Sequence, residues 1–213
     1  MIRKFIIPAS IIILTLIGCG KKNENKDSKA STTSSISLEQ GSYKIINNES
    51  ELKWIGKELS TKTHTGTLAF INGEIDVNSN GSIHGKVQID MTSIDVSDMQ
   101  GKWGKKLEGH LKSPDFFGVE KYPNAFIKFH SEEKQIKDSQ INLFGELTIK
   151  DITHPITFTA ELLDIKPSII AKANLSFDRS KYDVRFRSGK FFENLGDKLI
   201  LDDINVDVLL VAN

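Results

Sequence analysis

The sequence predicts an all-β fold, a single antiparallel barrel of eight to nine strands with a short helix and an aromatic loop near one end. Three observations carry that expectation. From Tyr43 onward, apolar and polar residues alternate with period two, as in strands with one wet and one buried face. Clusters of Asn, Asp, Gly and Ser punctuate the alternating runs as turns. The stretch Trp103–Pro123 departs from this pattern: Trp103, Leu107, His110 and Leu111 recur at helical spacing, and Ser113-Pro114-Asp115 stop the helix. Phe116, Phe117, Val119 and Tyr122 then crowd a loop with more aromatic surface than loops normally carry.

In chain order, residues 1–18 read as a lipoprotein signal peptide. Arg3 and Lys4 give it a basic start, and the apolar run Phe5–Ile17 is shorter than the roughly 20 residues that span a bilayer. Leu16-Ile17-Gly18-Cys19 resembles the bacterial lipobox, which implies acylation of Cys19 and a membrane anchor. An ordinary signal peptide with a stray cysteine is the alternative. Residues 19–42 read as the lipidated cysteine and a flexible tether, rich in Lys, Asn, Ser and Thr and too poor in apolar residues to form a core. The barrel domain is expected over 43–213.

Within that domain, Leu52, Trp54 and Gly56 share one strand face, and Gly66, Leu68 and Phe70 share the next. A turn near Asn72-Gly73 is expected to lead into Glu74–Val77. Ile83, Gly85, Val87 and Ile89 oppose His84, Lys86, Gln88 and Asp90, and Met91–Gly101 connects that strand to the helix. Beyond the aromatic loop come Ala125, Ile127 and Phe129, then Ile141 to Ile149, with a turn at Asp138-Ser139 between them. A second turn at Lys150-Asp151 precedes Ile156, Phe158, Ala160 and Leu162; Ile169 to Phe177 and Ile204 to Leu210 complete the set. So many one-faced strands must enclose a core, and closure into a barrel removes exposed edges. Gly85, Gly145, Ala160, Ala171 and Ala173 lie at the centres of inward faces. They leave room for one ligand, or the rings of Trp54, Phe70, Phe129, Phe158 and Phe177 fill the gaps; the sequence leaves both open.

Several separated motifs point to one family. They begin with Trp54 followed by Thr63-His64-Thr65-Gly66, and Gly85-Lys86-Val87-Gln88-Ile89-Asp90 leading to Ser93. The most specific is His110-Leu111-Lys112-Ser113-Pro114-Asp115-Phe116-Phe117 with Tyr122-Pro123. Gly145-Glu146-Leu147-Thr148-Ile149 with Ile152-Thr153-His154-Pro155 follows, then Asp178-Arg179-Ser180-Lys181-Tyr182 and Gly196-Asp197. In this order, from about Tyr43 to the C-terminus, they resemble the YceI-like family, bacterial envelope proteins described as polyisoprenoid-binding, with a lipocalin-like barrel. The resemblance implies an apolar interior that holds an isoprenoid tail with its polar head near the mouth, and no catalytic residues. The stretch with Arg185, Arg187 and Lys190 before Phe191 and Phe192 is more basic than the family pattern requires, as a headgroup clamp or a solvated loop.

The expected function is therefore that of an envelope lipoprotein binding a long-chain isoprenoid or similar amphiphilic lipid inside the barrel, for carriage or storage. Candidate pocket residues are Trp54, Phe70, Phe129, Phe158, Ala173 and Phe177. Candidates at the mouth are Trp103, His110, Phe116, Phe117, Arg179, Tyr182 and Arg185. Equal numbers of basic and acidic residues, 28 each, leave no footprint for nucleic acid. Cys19 is the one cysteine, so no intrachain disulfide or cysteine metal cluster is possible. The five histidines show no zinc spacing, and there is no G-x-S-x-G elbow or phosphate loop, so no catalytic residue, metal or cofactor is assigned. His84 falls on the wet face, and His154 reads as a structural hydrogen bonder in a turn before Pro155. Two alternatives remain: an interaction module with a packed barrel and an outward aromatic loop, and an enzyme acting on a lipid headgroup through His110.

Overall fold

A computed structural model describes residues 35–60, 62–132 and 136–213; Cys19 and the signal segment lie outside them. The strands are β1 (Ser35–Ile36), β2 (Gly41–Lys44), β3 (Glu51–Lys57), β4 (Thr63–Val77), β5 (Ile83–Asp90), β6 (Asn124–His130), β7 (Ile136–Lys137), β8 (Gln140–Ile149), β9 (Ile152–Asp164), β10 (Ile169–Asp178) and β11 (Asp203–Ala212). The one α-helix among the described residues, α1 (Gly101–Lys112), lies between β5 and β6. Around the ring the order is β8, β6, β5, β4, β3, β11, β10 and β9, and β9 returns to β8, every pairing antiparallel. The all-β barrel read from the alternation is thus a closed ring of eight strands. Two of its turns, Asp138-Ser139 and Lys150-Asp151, have positive φ at both residues, the geometry that matches strand twist in two-residue hairpins.

Neighbouring strands alternate in direction, so the connections β3–β4, β5–β6, β8–β9 and β10–β11 all meet at one end, here the upper end. The β5–β6 connection brings α1 and the aromatic loop there, and the β10–β11 connection brings residues 179–202. Residues 93–98 run along the upper half of β4, where β5 does not pair. The Ala69 N–H donates to Ser93 Oγ at 2.8 Å, Thr67 N–H to Asp95 Oδ1 at 2.6 Å and Thr65 N–H to Asp98 Oδ1 at 2.8 Å.

Two expectations need correction. No turn interrupts the chain at Asn72-Gly73; β4 runs unbroken to Val77 with Ile71 bulged between the pairs Phe70–Ile89 and Asn72–Gln88. One extra residue reverses the strand phase, so the inward set passes from Gly66, Leu68 and Phe70 to Ile75 and Val77. Gly73 serves a contact rather than a turn: a Cβ there would lie 2.2 Å from Ile45 Cδ1, whose side chain packs into the space the glycine leaves. The segment read as tether also contributes to the fold. β1 pairs with β7, β2 pairs with the lower half of β4, and Leu38 packs against the core.

β9 and β10 pair only from Thr159–Asn174 to Asp164–Ile170; above that the two strands part. The register accounts for one of the missing bonds. The Leu162 N–H donates to the Ser139 carbonyl, so alternation turns the even residues of β9 toward β8 and the odd ones toward β10. Continued upward, the register would set Pro155 against Asp178, and proline has no N–H to give.

Candidate functional site

Inside the ring lies a cavity of about 570 Å³, within the range of roughly 300–1,000 Å³ typical of ligand pockets. Its walls differ. On β5, β6 and β8, Phe129 stands in register between Gly85 and Gly145, and a Cβ on Gly85 would meet the Phe129 ring at 2.1 Å. Here a ring has taken the glycine's space, and Phe158 packs edge-on against it at 5.7 Å. On β9, β10 and β11, Ala160, Ala171 and Ala173 line open space with Leu175, Phe177, Val206 and Val208. All of these β10 and β11 side chains are only partly buried although they face inward, because they border that space.

The aromatic loop folds inward across the upper end. The Phe117 N–H donates to the Leu111 carbonyl and the Val119 N–H to the Lys112 carbonyl, which wraps the loop around the last turn of α1. Phe116 is 6% exposed, and both Phe116 and Phe117 line the cavity. His110 fits edge-on between Phe116 at 4.9 Å and Phe186 at 4.5 Å. Its Nε2 is 3.7 Å from Asp115 Oδ2, longer than a hydrogen bond. Trp54 lines the cavity beside Gly66 and donates from Nε1 to the Asp95 carbonyl at 3.1 Å.

Of the residues assigned from sequence, Trp54, Phe70, His110, Phe116, Phe117, Phe129, Phe158, Ala173, Phe177 and Arg179 border the cavity. Trp103, Tyr182 and Arg185 do not. Trp103 is 67% exposed, with Lys106 Nζ 5.6 Å from its ring centroid. The buried stripe of α1 runs through Gly104, Leu107 and Leu111, and a Cβ on Gly104 would touch the Met99 carbonyl at 2.5 Å. That rotates the stripe away from Trp103. Arg185 points outward, paired with Asp183 and lying over the Phe191 ring. Arg179 borders the cavity but works as a bracket. Only 1% exposed, it donates to the carbonyls of Val184, Ile200 and Leu201 and pairs with Asp202 at 3.2 Å.

Tyr182 closes the parted β9–β10 seam from outside. It packs edge-on against His154 at 5.2 Å and Phe177 at 5.6 Å, and His154 Nε2 hydrogen-bonds the Lys181 carbonyl at 3.0 Å. His154 thus makes the structural bond expected of it, though from within β9 rather than from a turn. Burial, helped by the nearby Asp178 charge, pushes the Tyr182 hydroxyl up to about 12, so it stays protonated at neutral pH.

Sequence reading missed Lys57, Lys106 and Phe186, which border the cavity, as does Arg187 from the basic stretch read as a headgroup clamp or a solvated loop. Lys106 lies four residues before His110 on α1, a spacing that was available. Lys57 alternates outward along β3 and reaches the rim only because the strand ends there. Apart from Lys172, every charged or histidine side chain at the cavity belongs to its upper end: Lys57, Glu58, His64, Lys106, His110, Arg179 and Arg187.

Residues 43–212 match the family model described as a YceI-like domain. The chain is 29% identical over 98 residues to the UPF0312 protein plu2095 of Photorhabdus laumondii, a match covering 46% of this chain and 48% of that one, so it spans about half the length of this relative. BcnA of Burkholderia cenocepacia has a similar fold, with a TM-score of 0.62 and 19% identity over 78% of this chain and 98% of that chain. A polyisoprenoid binding domain from Saccharophagus degradans superposes with a TM-score of 0.56 and 13% identity, covering 80% of this chain and 97% of that chain.

Proposed function

The chain belongs to the YceI-like family, and from that premise we propose that it binds a long-chain isoprenoid, or an amphiphilic lipid of similar shape, inside the barrel. The observation that carries this reading is the distribution of polarity in the cavity. About 570 Å³ of space is apolar along its walls, and its polar groups gather at the capped upper end, Lys172 apart. An amphiphile has the same asymmetry. Each methylene moved from water into such a space gains roughly 0.8 kcal/mol, so a long tail supplies most of the affinity. The Saccharophagus degradans domain of the same fold is described as polyisoprenoid-binding, which supports the assignment of tail chemistry.

The role that follows is binding and release, for carriage or storage in the cell envelope, with the chain held to a membrane through acylated Cys19. An inward-facing aromatic loop favours this over an interaction module, since Phe116 and Phe117 are turned toward the cavity. Enclosure of His110 between two rings likewise favours a packing role over acid–base chemistry.

Mass spectrometry of an organic extract from the purified protein tests the reading. We expect a long-chain isoprenoid or related amphiphile in near-stoichiometric amount. An extract free of lipid, together with no uptake of added isoprenoid, would overturn it. Detergent partitioning of the Cys19→Ala variant tests the anchor, and complete partitioning of that variant as a membrane protein would refute acylation at Cys19.

A further inference from the structure

We propose that the head of the bound amphiphile is an oxyanion of the phosphate class, held at the mouth by Lys57, Lys106 and Arg187. This rests on the tail-binding reading above and adds the headgroup to it. The basis is which charges near the mouth are already neutralised. Lys62 pairs with Glu58, Lys105 with Glu108, Lys150 and Arg185 with Asp183, Arg179 with Asp202, and Lys190 with Asp178. Lys57, Lys106 and Arg187 border the cavity, and none has a carboxylate within 4.0 Å among the described residues. Glu58 is the one acid at the cavity, and it lies 3.9 Å from Lys62.

Three separate elements each place one of these cations on the cavity's lining. Lys57 ends β3, Lys106 lies on α1, and Arg187 sits in the β10–β11 connection with φ of 51° and its guanidinium over the Phe186 ring. One strap holds the backbones of two of them to consecutive residues. The Ile200 N–H donates to the Arg187 carbonyl at 3.0 Å, and the Leu201 N–H to the Lys57 carbonyl at 2.9 Å. Lys106 approaches from the helix laid across the same opening, one turn before His110.

Their number selects the class of anion. A carboxylate would answer one cation and leave two unmatched. A phosphate monoester carries about −1.5 to −2 at neutral pH with three acceptor oxygens, enough for three donors at once. Arginine adds the planar fork that binds phosphate oxygens in pairs. Of the three arginines that the sequence suggested for this task, Arg179 is committed to carbonyls and Asp202 and Arg185 to Asp183, which leaves Arg187.

Calorimetric titration of the delipidated full-length protein with geranylgeranyl phosphate, geranylgeraniol and inorganic phosphate tests the proposal. We expect the monophosphate to bind about tenfold more tightly than the alcohol, with the advantage shrinking as salt is raised. Lys57→Gln, Lys106→Gln and Arg187→Gln should each remove most of that advantage and leave alcohol binding as it was. Lys105→Gln, whose cation is already paired with Glu108, should change neither. Thermal melting of each variant separates a lost contact from a lost fold. Equal affinity for phosphate and alcohol in the unaltered protein would overturn the proposal while the tail-binding reading stands. Binding of neither lipid would overturn both. Inorganic phosphate binding as tightly as the lipid would reassign the three cations to a free-anion site and overturn the headgroup assignment.

Discussion

Two walls of this barrel carry small residues at the centre of their inward faces and put them to opposite use. In the wall of β5, β6 and β8, Gly85 and Gly145 flank Phe129, and neither has room for a Cβ. One placed on Gly85 would lie 2.1 Å from the Phe129 ring, and one on Gly145 would lie 2.1 Å from the Lys128 carbonyl. In the wall of β9, β10 and β11, Ala160 and Ala173 are direct cross-strand partners, and both border the cavity. The difference teaches how such residues should be read. A glycine at a strand centre marks a close approach by something else, whereas an alanine there keeps its methyl and marks space.

The strongest way to break the comparison is at Gly145. A side chain there meets a backbone carbonyl that cannot swing aside, so Gly145→Val should destabilise by about 3 kcal/mol or more, read from chemical denaturation. A loss under about 1 kcal/mol would show that this wall has slack after all. Gly85→Ala should cost less, about 2 kcal/mol, because the obstacle is a ring with a cavity beside it. Adding Phe129→Leu should recover part of that loss, and a double-mutant cycle without coupling would refute the ring as the cause.

A third test compares the upper ends of the walls, which carry the same cap. Asp90 at the end of β5 accepts from the Thr92 N–H and hydroxyl, and Asp178 at the end of β10 accepts from the Ser180 N–H and hydroxyl. Lys190 also pairs with Asp178. Burial raises the Asp178 carboxyl, but the Lys190 and Ser180 hydrogen bonds outweigh it and hold the group below the usual carboxylate range. Its contribution is therefore complete above the unfolded value of about 3.9 and is lost as pH falls through the lower folded value. Asp178→Asn should cost about 1 kcal/mol at pH 7, and the gap from the unaltered protein should narrow below about pH 3.9. A gap that widened in acid would reverse the assigned sign.

The smallest expected effect on stability is at Ala173. Ala173→Trp places a large apolar body in open space, so the ligand-free protein should unfold within about 1 kcal/mol of the original. The same change should abolish or shorten the lipid recovered by extraction. Loss of several kcal/mol would mean that this wall is as tightly packed as the other.

Much of the ring was legible because each strand buries a single face. Ile83 to Ile89 and Ile141 to Ile149 announce their direction in every second residue. What escaped was phase and aim. Ile71 reverses the phase of β4 with one bulged residue, and a local Asn-Gly pair imitates a hairpin there. Helical spacing joined Trp103 to Leu107 and Leu111, but the position of the buried stripe depends on Gly104 meeting Met99, a tertiary contact. At the site, apolar candidates such as Trp54, Phe129 and Phe177 follow from strand parity. The fates of Arg179 and Arg185 do not, because residue type says nothing about which carbonyls or carboxylates a cation will meet. Lys57 escaped for a related reason: alternation governs a strand's middle and lapses at its tip.

The parted upper half of β9 and β10 makes the ring mechanically uneven. Ten register pairs hold β10 to β11, and five hold it to β9. Stretching the circumference at β10–β11 means breaking ladder hydrogen bonds, each with a net value of about 1 kcal/mol. At the seam the resistance is side-chain packing, chiefly Tyr182 wedged between His154 and Phe177. The upper half of the β9–β10 seam is thus a compliant joint beside the fully laddered β10–β11 pair. Because Phe177 also borders the cavity, a widening of the bore beside it is felt at that joint. Amide exchange would register it as faster opening of Thr157 and Ser176 than of Ala173, whose register pairs with Ala160 and Val208 stay intact on both sides.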